Sequence, residues 1–208
     1  MVEQGSKQWF RMKAGKISAS NMRKLTAGGT GKTRRRYLSK LAIERITGEY
    51  IHGYKNKHMD RGNELEAQAR QEYQERKFVE VKQTDFVEHP DLENFGASPD
   101  GLVGDDGLIE IKTRSPHIQI DFIRGNKSIS GANRKQMMAQ MMCTGRKWCD
   151  YISYISIEDE ARPKLPSKLN MKIVRVERDE KEIKRLTEAV KEGNRDIEKM
   201  IEEIKEEK

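Results

Sequence analysis

Residues 98–113 read SPDGLVGDDGLIEIKT. Its centre, GDDG at 104–107, is typical of a tight turn, because glycine and aspartate tolerate the backbone angles that such turns require. The residues on either side are rich in the apolar and β-branched types that favour strands. We therefore predict a β-hairpin formed by residues 97–103 and 108–113.

The hairpin gathers charged side chains at its open end. Because side chains alternate between the two faces of a strand, Glu110 and Lys112 point the same way, roughly 7 Å apart along the strand. Ile111 points to the opposite face, towards the core. The predicted register brings Asp100 opposite Ile111, diagonal to both charged residues. Two carboxylates and one ammonium group are thus expected to converge.

Such a group suits the hydrolysis of a phosphodiester. Carboxylate oxygens are ligands that Mg²⁺ or Mn²⁺ prefers, and a bound ion stabilises charge on the phosphate. Lys112 would orient or deprotonate the attacking water, or neutralise the charge that develops. The alternative interpretation is an exposed hairpin that carries a simple ion pair.

Patterns on both sides extend the hairpin into one α/β (α+β) domain, with helices flanking a central mixed sheet. Apolar spacing, caps and glycines predict helices over 18–26, 33–47, 59–77, 131–144 and 179–207, the last of them long and charged. Alternating runs predict further strands over 79–88, 148–157 and 171–176, mostly in an antiparallel meander. We expect a single domain over 1–208, comprising a basic helical part at 1–48, a catalytic core at 59–157 and a C-terminal helix at 178–208.

Basic residues are concentrated near the N-terminus. The chain has 41 Lys plus Arg against 34 Asp plus Glu, and residues 1–48 hold 12 of the basic side chains and only 2 of the acidic ones. Such an excess is typical of proteins that bind nucleic acid, although an uneven charged surface is the simpler alternative. Arg34, Arg35 and Arg36 follow a glycine-rich loop at 27–31. This loop lacks the first glycine of an ATP-binding P-loop, so we expect the arginines to contact the DNA backbone.

Several other classes of protein are disfavoured. No apolar run approaches the roughly 18–20 residues of a membrane span, and the N-terminus lacks the apolar stretch of a secretory signal. Two cysteines, Cys143 and Cys149, are too few for a disulfide framework or a four-cysteine metal site. We therefore expect no membrane partner and a reduced, cytoplasmic setting.

A third carboxylate lies in the helix predicted over 59–77. Glu66 is in line with Gly62, Ala69 and Tyr73 rather than on the outer face. A carboxylate in this position either pairs with a buried cation or faces a metal ion, and a half-exposed surface glutamate is the alternative.

Five short motifs follow one another along the chain. They are Trp9-x-x-x-Lys13-x-Gly15-x-Ile17-Ser18-Ala19-Ser20, Arg61-Gly62-x-x-x-Glu66, Ser98-Pro99-Asp100-Gly101-Leu102, Glu110-Ile111-Lys112, and Gln136 with Thr144-Gly145. In order and spacing, from about Trp9 to Ile157, they resemble the phage lambda exonuclease family, also called YqaJ-type viral recombinases. That family belongs to the PD-(D/E)xK nuclease superfamily.

The resemblance implies a restriction-endonuclease-like core with two Mg²⁺ ions, for which Mn²⁺ can substitute. It also implies processive 5′→3′ digestion of one strand of linear duplex DNA, leaving 3′ tails for phage-type recombination. Residue by residue, it implies metal ligands at Asp100, Glu110 and the Ile111 carbonyl, further catalytic residues at Lys112, Glu66 and Gln136, and a 5′-phosphate pocket at Lys13, Ser20 and Ser98. A phage-encoded or prophage enzyme in the bacterial cytoplasm, a homotrimeric ring and a single-strand annealing protein as partner are the wider expectations.

The sequence departs from the family pattern at two positions. Lys13 stands where the family has arginine, which keeps the charge but loses the planar bidentate fork. Met138 replaces the second glutamine of a Gln-x-Gln pair. Gln140 lies one helical turn after Gln136 and could take the place of the missing second glutamine. The alternative is that Gln136 and Gln140 are both buried glutamines bonded to the backbone.

Other questions stay open at the level of sequence. A sequence-specific restriction-like endonuclease would use the same core, and a non-catalytic DNA-binding module would share the basic surface. The final helix either packs on its own domain or forms a contact between subunits.

Overall fold

The hairpin around 104–107 lies in the middle of the molecule, which we describe from a computed structural model covering residues 5–28, 31–52, 57–155 and 166–206. Strands β5 (Gly101–Val103) and β6 (Gly107–Thr113) pair antiparallel, as predicted. The predicted register is wrong by one residue. Val103 pairs directly with Gly107, so the turn is three residues long, and the ladder places Gly101 opposite Ile109. Continued by one step, it brings Asp100 level with Glu110 rather than Ile111.

The hairpin is part of a five-stranded sheet. The order is β2 (Val81–Lys82), β5, β6, β7 (Trp148–Tyr154) and β8 (Met171–Glu177). Strands β6 and β7 are parallel, whereas the other neighbours are antiparallel. The prediction of a mostly antiparallel meander therefore fails at the β6–β7 pair, because a helical crossover returns the chain in the same direction.

A second, three-stranded sheet has the order β1 (Ile17–Ser18), β4 (Phe95–Ala97) and β3 (Val87–Glu88). Two predicted strands are therefore each divided between the two sheets. The run 79–88 contributes β2 to one and β3 to the other, and the run 97–103 is interrupted between β4 and β5. Residues 98–100 thus carry the chain from one sheet to the next, which places Asp100 at the junction.

Helices cover both sheets. They are α1 (Lys7–Lys13), α2 (Met22–Leu25, after a 3₁₀ turn at Ala19–Asn21), α3 (Lys32–Thr47), α4 (Lys57–Lys77), α5 (Pro116–Ile123), α6 (Gly131–Thr144), α7 (Ser167–Asn170) and α8 (Glu180–Glu206). Helices α3, α4, α6 and α8 confirm the predictions within a few residues. Helices α1, α5 and α7 were not predicted. The predicted helix 18–26 begins too early, because Ser18 pairs in β1 and α2 begins only at Met22, after the 3₁₀ turn.

The two faces of β6 contact different halves of the core. Ile109 and Ile111 pack with Ala69 and Tyr73 of α4, as expected for a strand residue that points away from Glu110. Leu108 packs on the opposite side with the methionines of α6. Glu110 shares the Leu108 face by alternation, so its carboxylate lies beneath α6.

Helix α8 packs on its own domain. Its buried residues Ile183, Leu186, Val190 and Ile197 belong to the same core cluster as α2 and α3. Gly193, which interrupts the apolar spacing, lies so close to Leu25 that a Cβ atom at this position would be 2.7 Å from Leu25 Cδ1. Close approach to α2 therefore accounts for this glycine.

The fold class is α/β, with a mixed sheet, flanking helices and a long C-terminal helix, as the sequence predicts. No helix within the described residues has the length and apolarity that crossing a membrane requires. Several parts of the predictions fall outside the described residues: residues 1–4, the loop residues Gly29 and Thr30, the end of the strand at 156–157, the proline loop before 166, and the end of the C-terminal helix at 207–208.

Candidate active site

One cleft of about 380 Å³ brings most of the predicted site residues together. It is lined by residues from α1, the β1–α2 segment, α4, the β4–β5 junction, β6 and α6. The predicted members of its wall are Lys13, Ser20, Glu66, Ser98, Asp100, Ile111, Lys112 and Gln136. Glu110 contacts two residues of this wall from its buried position beneath α6.

Lys112 and Glu110 form an ion pair on one face of β6. Glu110 is fully buried, and Lys112 Nζ contacts its Oε1 atom. Burial by itself lowers the pKa of Lys112, but the neighbouring Glu110 and Asp100 carboxylates outweigh it and raise the pKa above the usual lysine value. Lys112 is therefore an ammonium ion near neutral pH, which suits it to hold charge rather than to remove a proton.

Asp100 faces the cleft from the junction between the two sheets. Its Oδ2 accepts a hydrogen bond of 2.6 Å from the backbone N–H of Ile111. Burial, followed by repulsion from Glu110 and Glu66, raises the pKa of Asp100 well above its usual range. Burial is also the main reason why the pKa of Glu66 is raised. The charged forms of Asp100 and Glu66 are therefore disfavoured in this cleft.

Arg70 is a site residue that the sequence analysis missed. Its Nη2 donates to Glu66 Oε1 at 2.6 Å, and its Nε donates to the backbone carbonyl of Asp100 at 3.0 Å. The guanidinium thus ties helix α4 to the sheet junction. Glu66 pairs with a cation, one of the two outcomes expected for it, and the i,i+4 spacing to Arg70 was the available signal.

The donor set fits a hard divalent cation. Asp100, at the junction before β5, and Glu110, on β6, supply carboxylate oxygens, and the surroundings of Asp100 disfavour its negative charge. Among the described residues no three His, Cys, Asp or Glu side chains are grouped as ligands of one ion. Mg²⁺ does not require three, because it binds through one or two carboxylates and keeps several waters.

In the same cleft, several groups suit an anion. Lys13 Nζ lies 3.8 Å from the centre of the Trp9 ring, and burial together with repulsion from Lys40 lowers its pKa to about 8. Ser98 Oγ is buried and has no hydrogen-bond partner among the described residues. Ser20 is exposed, with its hydroxyl 3.3 Å from that of Ser18. A cation and two hydroxyl groups thus face one space.

The glutamines of α6 differ in their contacts. Gln136 lines the cleft, whereas Met138 is fully buried in the core. Gln140 donates from Nε2 to Glu110 Oε2 at 2.7 Å. The alternative, that the Gln140 side chain is bonded to the backbone, is therefore wrong.

The basic cluster of α3 does not line the cleft. Arg34 pairs with Asp196 of α8 at 2.7 Å and donates to the Leu25 carbonyl at 3.2 Å, so its guanidinium holds helices together. Arg35 and Arg36 are exposed. A role in binding DNA stays a prediction for all three arginines.

A model of the YqaJ-like viral recombinase domain matches residues 8–147. The chain belongs to this family. The YqaJ-like match includes every residue of the cleft wall, from Trp9 to Gln140, and ends before α8. No curated protein sequence matches the chain.

Solved structures resemble the YqaJ-like chain over nearly its whole length. An alkaline exonuclease (LHK-Exo) from Laribacter hongkongensis is 35% identical with a TM-score of 0.84, the match covering 97% of each chain. The structure of LHK-Exo in complex with dAMP matches at 36% identity, with a TM-score of 0.85 and the same coverage. A phage related exonuclease from Haemophilus somnus 129PT shares the fold at 19% identity, with a TM-score of 0.72 over 91% of this chain and 96% of that one.

Proposed function

We propose that this protein is a divalent-metal-dependent exonuclease that digests linear double-stranded DNA from its ends, 5′→3′. The observation that carries the proposal is the single cleft that joins the acidic group around Asp100 to the pocket around Lys13. Membership of the YqaJ-like family and the likeness to an alkaline exonuclease support the reaction class. The related structure with dAMP adds support, because a nucleoside monophosphate is what an exonuclease releases.

Asp100, Glu110 and the Ile111 carbonyl would hold Mg²⁺, or Mn²⁺ in its place. When bound, the ion acidifies a water molecule and stabilises charge on the scissile phosphate. Burial and then repulsion from Glu110 and Glu66 raise the pKa of Asp100, so its carboxylate would be stabilised by a cation held there. Glu66 and Gln136 complete the polar wall around this position.

Lys112 would act through its charge. Because its ammonium group stays protonated beside Glu110, it donates hydrogen bonds to the scissile phosphate or to the attacking water.

The Lys13 pocket would select the end of the substrate. A 5′-phosphate offers acceptors to the Lys13 ammonium and to the hydroxyls of Ser20 and Ser98. A phosphate held there would leave the first phosphodiester of that strand to reach Asp100 in the same cleft. Digestion would then proceed from 5′ to 3′.

The test compares linear, nicked and closed-circular duplex DNA in Mg²⁺ and in EDTA. We expect the parent protein to degrade the linear form only in Mg²⁺ and to leave the closed circle intact. Lys112→Ala should abolish degradation and still bind duplex. Lys147→Ala is the matched control, because that lysine is exposed and pairs only with Asp106 among the described contacts.

Each other result has a clear meaning. Cleavage of the closed circle would replace the proposal with a restriction-like endonuclease. Binding without release of nucleotides would indicate a non-catalytic DNA-binding module. Degradation by Lys112→Ala at the parent rate would show that the assigned residues are wrong.

A further inference from the structure

Gln140 is a fully buried polar side chain in a helix whose neighbouring buried residues are apolar. The side chains around it on α6 are Met137, Met138, Met141 and Met142. A buried amide costs free energy unless it is hydrogen-bonded, so the contacts of Gln140 indicate what it is for. Among the described residues, its side chain makes one hydrogen bond to another side chain, the 2.7 Å bond to Glu110.

The orientation of the amide follows from that contact. Only the NH₂ group can donate to a carboxylate oxygen, so Nε2 faces Glu110 and Oε1 is turned away from it. Gln140 Oε1 is buried and has no hydrogen-bond partner among the described residues. Gln140 also lines the cleft beside Asp100 and Ile111. The amide therefore holds Glu110 and leaves an acceptor at the cleft.

Gln140 and Lys112 contact different oxygen atoms of the Glu110 carboxylate. Lys112 contacts Oε1, and Gln140 contacts Oε2. Lys112 neutralises charge, whereas an amide fixes the position of a carboxylate without neutralising it. Of the two contacts, the Gln140 hydrogen bond is thus the one that orients Glu110 and preserves its attraction for a cation.

We propose that Gln140 is a positioning residue that fixes the Glu110 carboxylate for a divalent ion. The inference rests on the proposed function, since it takes Glu110 as a metal ligand. Removing a residue that orients a metal ligand typically weakens metal binding about 10- to 100-fold. We expect this loss for Gln140 although it does not itself coordinate the ion.

The decisive variant is Gln140→Met. Methionine has nearly the same length, cannot donate to Glu110, and already packs at four neighbouring buried positions of α6. The measurement is a titration of the full-length protein with Mn²⁺, in which electron paramagnetic resonance reports the free ion without any need for activity. Met141→Leu is the matched control, because it alters the same buried helix and no polar contact.

We expect Gln140→Met to bind Mn²⁺ about 10- to 100-fold more weakly, with a melting temperature close to that of Met141→Leu. In single-turnover digestion the half-saturating Mg²⁺ concentration should rise by a similar factor, while KM for DNA stays the same. A purely structural role would lower the melting temperature and leave the ion titration unchanged. If Gln140→Met fails to fold, Gln140→Leu supplies the same comparison.

Failure of this inference can be told apart from failure of the proposed function. Parent-like Mn²⁺ affinity in folded Gln140→Met would overturn the positioning role, even if the parent protein digests DNA. Weakened Mn²⁺ binding in a protein whose parent form digests no DNA would retain the positioning role and refute the exonuclease.

Discussion

Replacing Asp100 by asparagine should stabilise the metal-free protein while it abolishes cleavage. Burial and then repulsion from Glu110 and Glu66 disfavour the Asp100 carboxylate, and attraction to Lys112 is a weaker opposing effect. A neutral amide ends the repulsion and still offers an oxygen to the Ile111 N–H group. A stabilising substitution commonly gains about 0.5–2 kcal/mol, which corresponds to about 1–8 °C for a domain of this size.

The stability gained by Asp100→Asn should increase as the pH rises. Because folding raises the pKa of Asp100, the parent protein carries no penalty below the unfolded value of about 3.9. The penalty appears as the pH rises above that value and is complete once the pH exceeds the folded pKa. The advantage of Asp100→Asn should therefore be largest near neutral pH and shrink as the pH falls.

Asp150 provides a control for which the same substitution should lower the melting temperature. It is also buried, but it accepts hydrogen bonds from Tyr73 at 2.8 Å and from Arg175 at 2.8 and 2.9 Å. Asp150→Asn loses charge-assisted hydrogen bonds worth about 1.5–3 kcal/mol, so its melting temperature should fall by about 3–12 °C.

The assay is calorimetric melting of the parent and both variants in EDTA at pH 5, 6, 7 and 8. Addition of Mg²⁺ should raise the melting temperature of the parent more than that of Asp100→Asn. If Asp100→Asn melts at or below the parent at pH 7 in EDTA, Asp100 is not a strained carboxylate and the argument for a cation site is refuted.

Three further outcomes are expected. The pKa of Lys13 is lowered to about 8, so this residue loses its positive charge between pH 7 and 9. Over that range, the ratio of kcat/KM on 5′-phosphate ends to kcat/KM on 5′-hydroxyl ends should fall. A constant ratio would exclude Lys13 from end recognition. Ser98→Ala should keep the parent melting temperature, since Ser98 Oγ has no partner among the described residues, yet lose about 10-fold or more in that same ratio at pH 7. Gly193→Val should lower the free energy of unfolding by about 1–3 kcal/mol in denaturant melts, because a Cβ atom there meets Leu25; unchanged stability would mean that α8 does not pack closely on α2.

Local signals in the sequence predict much of the fold and the site. The GDDG turn and the alternating residues around it predict the hairpin, and the same alternation places Glu110 and Lys112 on one face with Ile111 on the other. Helical spacing predicts α3, α4, α6 and α8, because each carries an apolar face several turns long. These features depend on residues that are close together in the chain, so the sequence alone is enough to predict them.

The features that were wrong or missed depend on distant partners. Ser18 was assigned to a helix, but it pairs with Gly96, nearly 80 residues later, so no local pattern shows its strand. The parallel pairing of β6 with β7 likewise depends on how α5 and α6 cross the sheet. The register error at Asp100 has a local cause. The glycines at 104 and 107 are compatible with two turns that differ in length by one residue, and the sequence does not distinguish them. The bond from Arg70 to the Asp100 carbonyl and the bond from Gln140 to Glu110 depend on how α4 and α6 pack on the sheet, so no local pattern shows them.

The most direct test of the central claim follows the order in which labels leave one DNA molecule. A linear duplex with a 5′-phosphate carries one label on the 5′-terminal nucleotide and a second label further along the same strand. With Mg²⁺ we expect the terminal label to be released first as a mononucleotide, the internal label to follow after a delay, and neither to be released in EDTA or by Lys112→Ala. Release of the internal label first or at the same time, or release of labelled oligonucleotides, would contradict digestion from the 5′ end by this cleft.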